Sequence, residues 1–179
     1  SGKMSKSSGE FLRLQLLIDK GYHPHAYRMM CLQAHYRSEL EFSWEGLGAA
    51  LTRLKRAVIT VGQIKERAEV GAMAPGPRFS SYLERFDAAV SDDLNTAVAL
   101  TVFEEVVALK KVDAAEKLGA LAAMDAVLGL GLFDLDRKDL RIKPKGLTID
   151  EAEIEATLIA RKEARAEKDF ARSDALRDE

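Results

Sequence analysis

The sequence predicts an all-α chain: a polar opening loop, a few short connective helices, and then a helical bundle. Three observations carry that prediction. Apolar residues recur at spacings of three and four along nearly the whole chain. No β-branched or aromatic run alternates with period two. Helix-breaking residues are sparse, with 4 prolines and 12 glycines among 179 residues.

Taken in order, the elements justify themselves. The segment 1–9 is the densest in glycine and serine and reads as a loop. Phe11, Leu14 and Ile18, with Leu12 and Leu16 alongside, predict a short helix ending near Gly21. Pro24 suits the first turn of a second helix, with Tyr27, Met30, Cys31 and Ala34 on one face. Ser43 is positioned to cap the longest helix, whose stripe runs Leu47, Leu51, Leu54, Val58 and Val61. Those gaps alternate four and three, as in helices packed side by side. The run Met73-Ala74-Pro75-Gly76-Pro77 breaks it. A fourth helix carries Leu83, Phe86 and Val90, and Ser91-Asp92-Asp93-Leu94-Asn95-Thr96 forms a turn dense in capping residues. Val98, Val102, Val106 and Leu109 mark the next helix. Asp113 with Glu116 has capping-box spacing and opens a helix through Leu118, Leu121 and Leu128 that stops at Gly129. Residues 133–146 read as a loop. Thr148 with Glu151 repeats the capping-box spacing and opens one charged helix running through Ile154 and Leu158 towards Phe170 and Leu176.

Composition narrows the class. Hydrophobic residues make up 47% and charged residues 31%, enough for a packed core and too apolar for global disorder. The net charge of −2 excludes a protein that coats polyanions nonspecifically, so a nucleic-acid partner requires a local basic patch. No apolar run approaches the roughly 20 residues that span a bilayer, and no signal-peptide pattern opens the sequence. The single cysteine, Cys31, has no internal disulfide partner, which fits a reducing cytosol. The expectation is a soluble cytoplasmic protein or a piece of one.

Several groups of residues could carry chemistry. In Lys3-Met4-Ser5-Lys6-Ser7, two ammonium groups stand three positions apart among small hydroxyl residues, a composition that can wrap a polyphosphate. A solvated terminus is the competing reading. Residues 137–145 offer Arg137, Lys138, Arg141, Lys143 and Lys145 against the single acid Asp139, a cluster able to meet a phosphate backbone or to serve as a solvated connector. Arg161, Lys162, Arg165, Lys168, Arg172 and Arg177 form another basic set, but interleaved acids favour pairing along the helix. His23, His25, Cys31 and His35 lie close in sequence, yet their spacing matches no standard zinc pattern, and no metal site is expected. Trp44 either stacks on a nucleotide or, the commoner use, seals a bundle end. The carboxylates of Asp92 and Asp93 are better explained by capping than by magnesium.

Lys3 to Ser7 reads KMSKS letter for letter, the signature loop of class I aminoacyl-tRNA synthetases. Residues 35–43, HYRSELEFS, resemble the HYRSPLxYS stretch of cysteinyl-tRNA synthetases, with Glu39 where proline is usual. Asp92-Asp93-Leu94-Asn95-Thr96-Ala97 resembles their DDFNTP segment, with Leu94 and Ala97 as departures. The run from Arg161 and Arg165 through Lys168-Asp169-Phe170 to Arg177-Asp178-Glu179 resembles their closing RxxAR–KDWxxAD–IRDEL run. Four segments in the right order span the chain.

The resemblance implies a fragment of an enzyme that activates cysteine with ATP and magnesium and transfers it to tRNA(Cys). Lys6 would steady the phosphates as charge builds on the leaving pyrophosphate; Lys3 would add charge; Met4, Ser5 and Ser7 would complete the ATP-binding loop. His35 and Arg37, together with Arg137, Lys138, Arg141, Lys143 and Lys145, become candidate tRNA contacts. Residues 1–41 would be the KMSKS loop with the connective stem-contact region, and 42–179 the anticodon-stem-binding bundle. The Rossmann-type domain bearing the HIGH motif and the zinc ligands lies upstream in this family, so the chain alone should be inactive and should partner that catalytic domain. The resemblance leaves two alternatives open: a cysteine:aminosugar ligase relative, and a synthetase-derived helical module that binds RNA or protein without catalysis.

Overall fold

The computed structural model describes residues 13–68, 73–146 and 151–178. Among them there are eight α-helices and no strand, as the periodicity predicts. The chain divides into two compact units, Ser1–Lys145 and Gly146–Glu179.

The first unit begins with α1, Leu14–Asp19, which buries Leu17. It stops at Gly21, whose φ of +87° lies in the left-handed region. α2, Pro24–Leu32, starts with proline at its first turn, and the ring nitrogen Nδ1 of His23 caps it by accepting the His25 N–H at 3.2 Å. Its buried face differs from the predicted one. Ala26, Met29 and Met30 face the core, whereas Tyr27, Cys31 and Ala34 are only partly buried. At 100° per residue the two faces lie about 100° apart. The sequence places apolar residues on both, and the polar pair formed by the Tyr27 hydroxyl and the Cys31 thiol sits at the margin.

α3, Trp44–Lys65, opens as predicted: Ser43 Oγ accepts the Gly46 N–H at 2.9 Å. All five residues of its stripe are buried. At 1.5 Å per residue this helix is about 33 Å long, and α2 and α6 pack along it. After a 3₁₀ turn, Pro77–Phe79, that seats Phe79 in the core, α4, Ser80–Ser91, buries Phe86 and Ala89. Asn95 then caps α5, Thr96–Ala108, by accepting the Val98 N–H at 3.3 Å. Val98 itself is 48% exposed, against expectation. The buried arc of α5 is Ala99, Leu100, Val102, Phe103 and Val106, and Val98 projects about 120° from its centre.

α6, Ala114–Leu128, opens with Asp113 accepting the Glu116 N–H at 2.9 Å and closes on Gly129 in the left-handed region. Lys117 to Leu121 are buried all round, Met124, Asp125 and Leu128 continue the buried face, and Ala123, Ala126 and Val127 are exposed on the other. The Asp125 carboxylate accepts the N–H groups of Leu130 and Leu132, at 2.8 and 2.9 Å, and folds the chain back after the helix.

In the second unit the expected single helix is two. α7, Glu151–Ala166, and α8, Phe170–Asp178, pack on each other. Lys168 adopts a φ of +62°, and Asp169 Oδ1 accepts the Arg172 N–H at 3.0 Å. A side chain that caps a new helix competes with continuing the old one, and here the cap wins. Ala164 and Ser173 are its buried residues. The predicted cap Thr148 lies outside the described residues.

Candidate nucleic-acid interface

The KMSKS residues Lys3, Met4, Ser5, Lys6 and Ser7 lie outside the described residues. The other candidates fall into two clusters within the first unit.

In the first cluster, residues 35–37 dock on the turn between α4 and α5. Tyr36 donates its hydroxyl to Asp93 Oδ1 at 2.7 Å, and Arg37 pairs with the same carboxylate through Nε at 3.1 Å and Nη2 at 3.2 Å. His35 Nε2 reaches the Asp93 carbonyl oxygen at 3.0 Å, and its Nδ1 faces the Arg37 N–H at 3.3 Å. A carbonyl oxygen only accepts, so Nε2 carries the proton and Nδ1 is the acceptor: the neutral Nε2–H tautomer. The rings of His35 and Tyr36 stack at 4.9 Å, with the Arg37 guanidinium 5.5 Å from the tyrosine centroid. Asp93 and Leu94 both hold positive φ, +53° and +54°, a backbone that costs a non-glycine residue about 1–2 kcal/mol. The contacts gathered by Asp93 offset that cost. Two of the motif-like segments thus meet across 57 residues of sequence. Arg37 already has a carboxylate partner, so a phosphate reaching it has to compete with Asp93.

The second cluster is the stretch 137–145, and it is an ordered strap. Leu140 is fully buried and pins its middle. The Lys143 N–H donates to Gly21 O at 3.1 Å, and the Lys145 N–H to Asp19 O at 2.9 Å. These bonds lay the strap across the α1–α2 turn so closely that a Cβ on Gly21 would overlap the Lys143 backbone. Its side chains point outward: Arg137, Lys138, Arg141, Lys143 and Lys145 are all exposed. Lys138 lies 3.8 Å from Asp136 and Lys145 3.8 Å from Asp19, weak exposed pairs that give way readily to a phosphate. Arg137 and Arg141 have no ion pair among the described residues.

Beside the strap, Trp44 packs against Tyr22 at 5.8 Å and Phe42 at 5.3 Å, with the Lys20 ammonium 5.4 Å from its ring. Trp44 remains 39% exposed. A hollow of about 570 Å³ opens there between Trp44, Tyr22 and Pro144.

The four possible metal ligands do not converge. His23 caps α2, His25 meets it edge-on at 5.0 Å, Cys31 pairs with Tyr27, and His35 bonds Asp93. Among the described residues no three His, Cys, Asp or Glu side chains are grouped to hold a metal ion. No helix among them is long and apolar enough to cross a membrane.

Two residues escaped the sequence reading. Asp93 looks like one more capping residue, and only the fold brings Tyr36 and Arg37 to it. Lys117 is 5% exposed and donates to the carbonyl oxygens of Val107 and Leu109, at 2.9 and 2.7 Å, which end α5. Burial, with Arg67 nearby, pushes its ammonium below the usual lysine range. Its one signal in the sequence is a lysine at core spacing just before Leu118 and Leu121.

No family model matches the chain. Curated relatives match it from end to end. The chain is 82% identical over 179 residues to the cysteine–tRNA ligase of Novosphingobium aromaticivorans, covering 100% of the chain and 36% of that protein. Over 208 aligned residues it is 46% identical to the cysteine–tRNA ligase of Zymomonas mobilis, covering 99% of the chain and 40% of the relative. The cysteine–tRNA ligase 1 of Burkholderia lata is 40% identical over 176 residues, with 98% and 34% covered. The chain thus spans little more than a third of the length of these relatives. With similarity at this level along its whole length, the chain matches a segment of the cysteine–tRNA ligases from end to end.

Proposed function

We propose that the chain is the part of a cysteine–tRNA ligase that closes over the ATP phosphates and holds tRNA(Cys). The observation that carries this reading is the 82% identity over the full chain to a protein named for that activity. In the reaction a cysteine carboxylate oxygen attacks the α-phosphorus of ATP and pyrophosphate leaves; a terminal hydroxyl of the tRNA then attacks the carbonyl of the resulting cysteinyl adenylate, and AMP leaves. Catalysis of such a transfer is chiefly positioning and charge stabilisation. Lys6 and Lys3 supply the positive charge that balances the departing pyrophosphate, with Ser5 and Ser7 shaping the loop. Magnesium accompanies the ATP and neutralises part of its charge. Residues 1–41 serve as the connective region and 42–179 as the tRNA-holding bundle. The strap cations, above all Arg137 and Arg141, meet the RNA phosphates, and Arg37 joins them when it leaves Asp93. Amino-acid selection and its zinc belong to the rest of the enzyme, so the chain alone is inactive. The reading places the protein in the cytoplasm, where aminoacylation occurs.

The experiment is a transplant. The chain replaces the matching segment of the Novosphingobium aromaticivorans enzyme, and cysteinylation of tRNA(Cys) is followed. The chimera should charge tRNA, Lys6→Ala should cut kcat more than it raises KM for tRNA, and the chain alone should exchange no pyrophosphate. A folded chimera that binds ATP and tRNA yet charges nothing would overturn the reading.

A further inference from the structure

The C-terminal half of α3 and the turn between α5 and α6 enclose an open cleft of about 830 Å³. Its rim carries Arg56 and Arg67 from one side and Lys110 and Lys111 from the other, with Lys117 at the back. Among the described residues no Asp or Glu lines it. Among the described residues none of the four rim cations has an ion pair, and all four are exposed. The floor is apolar, from Ile64, Val107 and Val112, and Thr60 and Gln63 add hydrogen-bonding groups between the two arginines. We propose that this cleft is a second anchor for RNA and grips the phosphodiester backbone of the bound tRNA. The proposal rests on the reading that the chain holds tRNA.

Three features point that way. First, cations facing each other across a concave wall repel, and among the described residues no carboxylate lines the wall between them; Arg67 already disfavours the charge on Lys117. An anion in the cleft relieves that repulsion. Second, the ammonium of Lys117 neutralises the carbonyl end of α5 by bonding Val107 O and Leu109 O. The negative end of that helix dipole therefore does not offset the field in the cleft. Third, Lys111 holds a φ of +56° at the tip of the turn, a conformation that glycine or asparagine adopts at less cost. Its charge is presented at the expense of backbone strain.

The arrangement fits a polymer of singly charged phosphates better than a free polyphosphate. Arg56, Thr60, Gln63 and Arg67 follow one face of the helix for about 16 Å, so the cations are strung out rather than convergent. Among the described residues nothing in the lining supplies a carboxylate to share a magnesium ion with a nucleotide triphosphate. Trp44 and the strap sit near the start of α3, and Arg56 lies about 18 Å further along the helix. Two separate phosphate contacts on one RNA are what such spacing offers.

The test measures binding of a fluorescent tRNA(Cys) transcript to the full chain between about 50 and 200 mM salt. One variant carries Arg56→Gln, Arg67→Gln, Lys110→Gln and Lys111→Asn, the last chosen because asparagine tolerates positive φ. A second variant carries Arg137→Gln and Arg141→Gln on the strap, and circular dichroism verifies that both fold. Each phosphate contact contributes about 0.7–0.9 to the log–log salt slope, so the cleft variant should bind about tenfold or more weakly with a slope shallower by about 3. An unchanged slope in the cleft variant, with the strap variant flattened, would overturn this proposal and leave the tRNA reading intact. Native chain that binds no tRNA at low salt would sink both. Inorganic pyrophosphate provides the third arm: micromolar saturation of the Lys110 and Lys111 amide shifts, with RNA binding untouched by the cleft substitutions, would assign the cleft to a free polyphosphate instead.

Discussion

Gly21 offers the sharpest test of how the basic strap is held. Its φ of +87° belongs to the left-handed region, where a non-glycine residue costs about 1–2 kcal/mol. Gly21→Ala also drives a Cβ into the Lys143 backbone, and no rotamer change on either side relieves a clash with main-chain atoms. The cheaper response is for the strap to lift. That breaks the bonds from Lys143 N–H to Gly21 O and from Lys145 N–H to Asp19 O, each contributing about 0.5–1.5 kcal/mol net. Reduced freedom of the unfolded chain returns about 0.5 kcal/mol. Leu140 stays seated, since the clash lies three residues beyond it. Gly21→Ala should therefore lower stability by about 2–4 kcal/mol in urea unfolding, and the amides of Lys143 and Lys145 should lose hydrogen-exchange protection while those of α3 keep theirs. The strap is also the proposed phosphate surface, so tRNA affinity should fall as its salt slope flattens. An unchanged urea midpoint with both amides still protected would refute the reasoning.

Two other perturbations bear on the same surface. Asp93→Asn keeps a residue that tolerates positive φ and removes the charge holding Arg37; the exposed pair contributes at most about 1 kcal/mol. Stability should drop only slightly, while tRNA affinity in a binding titration should rise; a fall in affinity would place Arg37 away from the RNA. Burial, and then the neighbouring His25, hold the His23 imidazole below its ordinary 6.5, with Asp139 opposing. A base depressed in the folded state contributes its stability above the unfolded value, and that stability is lost as pH falls from 6.5 through the folded value. Urea unfolding should show this acid-side loss in the native chain and not in His23→Asn, which keeps a capping side chain and cannot titrate; an NMR titration should find His23 protonating below 6.5.

Much of the fold was legible because its signals are local. Ser43 and Asp113 cap helices by reaching three residues along their own chain, which spacing alone reveals. The stripe of α3 could be read because only one of its faces is apolar. α2 could not be read in the same way, since Tyr27 and Cys31 stand on one side and Ala26 and Met29 on another, and the partner helix decides which is covered. The break at Lys168 rests on a contest between Asp169 as a cap and the helix it interrupts, two options of similar free energy. For the site, a cluster of five cations within nine residues is visible in any window that contains it. The anchoring of that cluster to Gly21 is not visible, nor is the meeting of Arg37 with Asp93. The cleft cations were hidden most deeply: Arg56, Arg67, Lys110 and Lys111 come from two segments, and each looks like an ordinary surface charge until the fold brings them round one cleft.

The central claim is that this chain presents a phosphate-facing surface to tRNA, and the most direct measurement is its affinity for tRNA(Cys) and for a non-cognate tRNA across a salt series. The account predicts binding of both that weakens linearly on a log–log plot, with a slope of about −3 or steeper from four or more phosphate contacts. Absence of binding at low salt, or binding indifferent to salt, would contradict it.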